Sequence, residues 1–257
     1  MTGSARTVVI VPTLGQRPEY LEQSLASIRA AGEAWIRVVA PAPFDASGLL
    51  ARGLIDEKLD EVGRSLPAAI EQGFDGLPDS VEFIAWLGDD DLLKPQALDV
   101  TADFLDAHPR SSAVYGGCEY IDENNHRVWI NNSGQWAAPL LRFGPDLIPQ
   151  PGSLFRRSSY AKTAGLRTDL GWAFDLDIFL QLARVGRLSY LKRTLASFRW
   201  HTESRSVAQR ERSVAEASQV RREYLPRWLR PISGMWEGPV RWATFRAGRV
   251  VIKESKK

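Results

Sequence analysis

The chain holds one cysteine, Cys118, among 257 residues. No disulfide can form within it, which fits a reducing compartment and equally a secreted protein that uses none. No run approaches the roughly 20 apolar residues that a membrane-spanning helix needs. The apolar stretch after MTGSAR, TVVIVPTL, is too short for a signal peptide followed by a cleavage site. These absences make a cytoplasmic protein the expectation. There is no internal repeat and no low-complexity segment. The formal net charge of +2 makes no case for a nucleic-acid partner. That near balance hides a gradient. Residues 221–257 carry ten Lys/Arg against three Asp/Glu, a net of +7, which leaves −5 on the first 220 residues.

What is present is the composition of an ordinary globular protein, 44% hydrophobic and 25% charged. The length suits one compact domain with a C-terminal extension. Thr7 to Leu14 is a β-branched apolar run stopped by proline, which predicts a buried parallel strand. RPEYLEQSLASIRAAG predicts a helix that starts at Pro18, repeats Leu21, Leu25 and Ile28 at helical spacing, and stops at Gly32. WIRVVAP and VEFIAWL predict two more strands. Ser65 to Phe74 and Pro95 to Pro109 predict helices, and residues 42–63 show no clear period. Strand and helix alternate over the first 110 residues, so the fold class is α/β, a mostly parallel sheet with helices on its faces. The second half predicts a hairpin (SAVYGGCEYID with HRVWIN), a Gly/Pro/Asn-rich loop over 131–151 and a strand leading into a helix (SLFRRSSYAKTAG). It continues with a helix (WAFDLDIFLQLARVG), one or two strands (SYLKRTLASFRWH) and a charged helix from Ser206 to Tyr224.

Ligands of such sheets sit outside the carboxyl ends of the strands. Pro12 and Thr13 stand at one of these ends, and Asp89, Asp90 and Asp91 at another. One aspartate would serve as an Asx turn or a helix cap. Three in a row repel one another and gain little as caps, whereas hard carboxylate oxygens suit Mg²⁺ or Mn²⁺ shared with substrate phosphates. Asp175 and Asp177 form a second acidic pair. They fit a helix N-terminus favoured by its dipole, or a general base held near a metal-bound diphosphate. LASFRWHTESRS gathers Arg199, His201, Ser204, Arg205 and Ser206. Its histidine is either an ordinary surface residue or a metal ligand or phosphate donor, and its arginine and serines would also suit a diphosphate.

In chain order, VVIVPTLGQRPEYLEQSLASI, GRSLPAAIEQGF, FIAWLGDDDLLKP, VYGGCEYID, QPGSLFRRSSY, FDLDIFLQLARVG and LASFRWHTESRS resemble glycosyltransferase family 2, inverting enzymes of the GT-A fold. The resemblance covers residues 7 to about 206. It implies a GT-A domain over residues 1–205 and a helical, basic extension over 206–257. It also implies a nucleoside-diphosphate sugar donor and a saccharide or lipid-linked acceptor. By it, Asp91 binds Mn²⁺ or Mg²⁺ directly, Asp89 and Asp90 face the ribose and donor sugar, and Pro12 and Thr13 line the nucleotide pocket. Arg64 is a further donor contact. Asp175 is the base, Asp177 orients it or caps its helix, and His201 reaches the metal or diphosphate. Trp172, three residues before Asp175, is the candidate sugar contact. Departures stand at Ala40 and Pro41, where the family usually has a base-reading aspartate for which Asp45 is a distant substitute. Further departures are Glu71, in place of an asparagine, and Gln181, in place of an arginine.

Trp228, Trp236 and Trp242 lie among the basic residues of the tail. That mixture suits a membrane interface, a dimer contact or packing on the domain. A peripheral position at the inner face of the cell membrane would serve a lipid-linked acceptor. Two rivals remain at this stage. A sugar-phosphate nucleotidyltransferase would want a glycine-rich basic phosphate loop, and GQRP at 15–18 is a poor one. A nucleotide- or carbohydrate-binding protein of the same fold would bind without turnover.

Overall fold

The structure is a computed structural model that describes residues 5–131, 133–200, 210–235 and 238. Strands β1 (Thr7–Pro12), β2 (Trp35–Ala40), β3 (Glu57–Asp60) and β4 (Phe83–Trp86) run parallel in the order β3-β2-β1-β4. All six residues of β1 are buried. Its side chains alternate between two cores. Val8 and Ile10 face Ile70, Phe155 and Phe179, while Val9 and Val11 face Leu25, Ile28 and Ile36. A strand covered on both faces must be apolar at every position, which is why TVVIVP shows no polar alternation.

Helices α1 (Pro18–Ala31), α2 (Ser47–Ala51) and α3 (Leu66–Phe74) link these strands. Proline in the first turn of α1 fits a position that needs no N–H. The stretch 42–63, which shows no period in sequence, contains α2 and the edge strand β3. Neither has a fully buried face, so neither leaves a hydrophobic pattern.

The second half completes a mixed sheet. Next come β5 (Leu92–Leu93), α4 (Ala97–Ala107), β6 (Ser111–Ile121), β7 (Arg127–Asn131), α5 (Ala137–Leu140), β8 (Leu154–Arg156), α6 (Arg157–Tyr160), α7 (Phe174–Val185), β9 (Arg187–Arg199) and α8 (Arg210–Tyr224). The full order is β3-β2-β1-β4-β8-β6-β9-β5, with β7 on β6 as the predicted hairpin. The helix expected from Pro95 begins at Ala97, because Gln96 takes a left-handed conformation with φ 63°. Residues 189–199 of that stretch belong to one long strand, β9, parallel to β6. The two-residue strand β5 pairs antiparallel with β9, Leu92 opposite Ser197 and Leu93 opposite Ala196. This pairing brings the end of β9 back onto the aspartate turn.

Arg156 and Arg157 are both half-buried. Each binds backbone carbonyls, Arg156 those of Ser111 and Leu105 and Arg157 those of Pro78 and Leu77. Among the described residues no helix is long and apolar enough to cross a membrane.

Candidate active site

β1 and β4 lie side by side, from Thr7 opposite Phe83 to Ile10 opposite Trp86. Their carboxyl ends therefore open on one edge, where Thr13 meets the aspartates. The Thr13 hydroxyl donates a short hydrogen bond to Asp89 and accepts one from Gly15 N at 2.9 Å. Arg17, in the turn before α1, pairs with Asp90 at 3.2 Å. Asp91 is 5% exposed, and its Oδ1 accepts the Arg199 backbone N–H at 3.0 Å. Residue 88 must be small. A Cβ there would stand 3.0 Å from Asp91 Oδ2 and 3.1 Å from Asp90 Oδ1, so glycine lets the carboxylates fold back over the turn.

Burial, with repulsion from Asp90, holds the Asp91 carboxyl well above the ordinary carboxylate range. Burial also raises Asp89, against the pull of the Thr13 hydrogen bond. A crowded, partly desolvated set of hard oxygen donors fits a divalent cation, which would relieve that repulsion. Among the described residues no three His, Cys, Asp or Glu form a complete cage. A cation here would therefore complete its shell with substrate oxygens or water. His201 lies outside the described residues.

Arg199 corrects an expectation. Its side chain is fully buried and binds Asp90 O at 2.9 Å, Asp122 O at 3.1 Å and Gln23 at 3.1 Å, with its guanidinium 4.2 Å from the Tyr20 ring centroid. A buried guanidinium must find acceptors, and this one finds them in the protein. It braces the aspartate turn and is not placed to receive a diphosphate.

The second acidic site is the first turn of α7. Burial pushes Asp175 up to about 6, with Glu216 adding repulsion, although Asp175 Oδ1 accepts the Leu176 N–H at 2.8 Å. Asp146, on the loop between α5 and β8, is raised further by burial and by Asp175, while Arg221 pulls it down. Asp177 is 1% exposed and committed to packing: Oδ1 accepts the Tyr224 hydroxyl at 2.9 Å and Oδ2 accepts Gln181 at 2.6 Å. The indole Nε1 of Trp172 is the one buried side-chain nitrogen or oxygen without a hydrogen-bond partner among the described residues.

Core packing links the two sites. Phe174, next to Asp175, packs on Trp86 at the end of β4, ring centroids 6.3 Å apart. The Tyr120 phenol is pushed up by burial and by Cys118, Asp146 and Asp91, so it lies within electrostatic reach of both sites. Its ring contacts Trp129 at 5.1 Å, Phe198 at 5.4 Å and Trp200 at 5.9 Å. Arg64 is exposed on the β3–α3 connection, just before Ser65, which caps α3.

The departures have structural occupations. Ala40 is buried at the end of β2, and Asp45 caps the Ser47 N–H at 2.9 Å. Glu71 accepts the Tyr160 hydroxyl and the Leu166 N–H, and Gln181 accepts the Ala164 N–H at 2.7 Å. Sequence reasoning missed Arg17, Tyr120, Asp146 and Glu216. Arg17 and Tyr120 lie inside motifs singled out for other residues. Asp146 and Glu216 carry no local signal, because their partners are far away in the chain.

The sheet order and the acidic edge define a GT-A-type fold, the fold of glycosyltransferases. No protein-family model and no curated protein matches the chain in sequence. Among solved structures it is similar to residues 1–349 of TarS from S. aureus in complex with UDP-GlcNAc. That match has a TM-score of 0.58 and 16% identity, and covers 87% of this chain and 72% of that one. It is also similar to the mannosyltransferase PcManGT from Pyrobaculum calidifontis in complex with GDP-Man and Mn²⁺, with a TM-score of 0.57 and 18% identity, over 97% of this chain and 73% of that one. A longer TarS structure matches over 43% of its length.

Proposed function

We propose that the protein is a metal-dependent, inverting glycosyltransferase that moves a hexosyl group from a nucleoside-diphosphate sugar to an acceptor hydroxyl. The observation that carries this is the pairing, at one edge of a GT-A sheet, of an aspartate turn suited to a cation with a separate carboxylate, Asp175, raised to about 6. Neighbours of this fold that are solved with UDP-GlcNAc or with GDP-Man and Mn²⁺ support the donor class.

In this mechanism Pro12, Thr13 and Arg64 hold the nucleotide, and Asp89 and Asp90 face the ribose and donor sugar. Asp91 is the leading contact for Mn²⁺ or Mg²⁺. Only its Oδ1 accepts the Arg199 backbone N–H, and a cation would relieve the repulsion that raises its carboxyl. His201 remains a candidate second contact. When bound, the cation neutralises the departing nucleoside diphosphate. Asp175 is ionised at neutral pH and takes the proton of the attacking acceptor hydroxyl. Direct displacement by the acceptor hydroxyl inverts the anomeric configuration. Trp172, three residues before Asp175, is the candidate sugar contact.

We take the acceptor to be a saccharide or a lipid-linked saccharide in cell-envelope polysaccharide or glycoconjugate synthesis. Trp228 and Met235, 73% and 77% exposed, stand near Arg227 and Arg230, which suits peripheral contact with the inner face of the membrane. A homodimer contact is the other use of that surface. The first test is calorimetry of a panel of nucleoside diphosphates with Mn²⁺ or Mg²⁺, then with chelator, on wild type and Asp91→Ala. Metal-dependent binding of one nucleotide, lost in the variant, supports the donor site and names the base. No binding of any nucleotide overturns it. NMR of the product anomer then decides inversion.

A further inference from the structure

The start of α7 is held from a distant part of the chain. Glu216, on α8, accepts three consecutive backbone N–H groups, Gly171 at 2.9 Å through Oε1 and Trp172 and Ala173 at 2.6 and 2.7 Å through Oε2. The Ala173 N–H is one of the donors that the N-terminus of α7 leaves unpaired, and the other two belong to the chain that enters the helix. Ala173, at the N-cap, has no side-chain oxygen to offer. The clamped residues include Trp172 and end two positions before Asp175. Around this point α8 is fastened to α7 by two more contacts. The Tyr224 hydroxyl bonds Asp177, and the Arg184 guanidinium lies 4.4 Å from the Tyr224 ring centroid. Arg167, from the loop before α7, pairs with Glu223 of α8 at 2.6 Å.

We propose that Glu216 is a positioning residue: from the C-terminal helix it clamps the N-terminus of α7 and so sets where Asp175 and Trp172 stand in the cleft. α8 is then a working part of the acceptor side of the site. The inference rests on the proposed transfer activity for its kinetic consequence, while the clamp itself is independent of it. A carboxylate suits the task physically. Its charge meets the positive end of the helix dipole, and its two oxygens satisfy three donors at once. The charged groups that face Asp175 are Glu216 from α8 and Asp146 from the α5–β8 loop, with Arg221 of α8 acting on Asp146.

The test compares wild type, Glu216→Ala and Glu216→Gln by amide hydrogen exchange, by metal-dependent nucleotide binding and by steady-state transfer across pH. In Glu216→Ala, exchange at 171–173 should accelerate at least about tenfold. kcat should fall by about tenfold or more, since small misplacements of a reacting group carry losses of that size. Donor KM and nucleotide binding should stay unchanged. In Glu216→Gln, which removes the charge and retains the shape, the acidic limb of the kcat profile should move to lower pH. The sign follows from losing a negative neighbour that holds the Asp175 proton. A purely structural role would leave that limb in place. Unchanged exchange overturns the clamp. Faster exchange with unchanged kcat overturns the positioning of Asp175. A parallel loss of nucleotide binding points to general damage and also counts against it. If wild type transfers sugar from no donor, the transfer activity fails by itself, and the exchange data still decide the clamp.

Discussion

The two acidic sites are built in opposite ways. The donor-side turn is assembled by the sheet: two neighbouring parallel strands end together and bring Thr13 onto Asp89 and Arg17 onto Asp90 across 76 and 73 positions, with Gly88 under the carboxylates. The Asp175 side is assembled by the packing of helices and loops outside the sheet. Its helix is capped by Glu216, its neighbour Asp177 is held by Tyr224, and its partner Asp146 comes from a loop before β8. Strand ends are fixed by the sheet, so a donor common to many enzymes can be bound at the same strand ends. The surface that meets the acceptor is fixed by packing of later elements. It can therefore vary with the acceptor and leave the donor edge intact.

That contrast can be broken most sharply at Asp175. Asp175→Asn should lower transfer by about a thousandfold, within the usual range for loss of a general base, and leave metal-dependent nucleotide binding as in wild type. Steady-state kinetics beside calorimetry would show it, and a shared loss would mean the two sites are not separate. Next in size is Arg199→Met. A fully buried guanidinium that braces the Asp90 carbonyl, the 122–123 turn and Gln23 should cost about 3–5 kcal/mol of stability when removed, read from denaturant unfolding.

A smaller effect is the pH dependence. Asp175 acts only when unprotonated, and its carboxyl is raised to about 6. The rate should rise with pH through that region and level off above it, and a limb lying near 4 would show that burial does not perturb this group. Smallest is Tyr224→Phe, which removes the hydroxyl bonded to Asp177. It should cost about 1 kcal/mol in thermal or chemical unfolding, with nucleotide binding untouched.

Much of the donor half was legible in sequence. TVVIVP, WIRVVA and FIAW announce buried strands because parallel strands covered on both faces must be apolar throughout. β3 was not legible, since its residues EKLD are half-buried on a sheet edge. β5 was not either, because two leucines become a strand only when β9 arrives beside them. Arg199 shows the limit for side chains. An arginine after an apolar strand reads as a phosphate contact until burial and four backbone or amide partners show otherwise. Glu216 shows the same limit from the other direction. In a charged helix it looks like solvated surface, and only the docking of α8 turns it into the cap of α7.

Sequence alone determined the α/β class, the order of the motifs and the identity of the acidic residues. Hydrophobic period and strand-end chemistry are local properties, written in neighbouring residues. Tertiary structure alone decided which carboxylates are exposed, which are raised and which are committed to packing. Those properties depend on desolvation and on partners as far as 108 positions away, as between Asp91 and Arg199, and no local pattern encodes them.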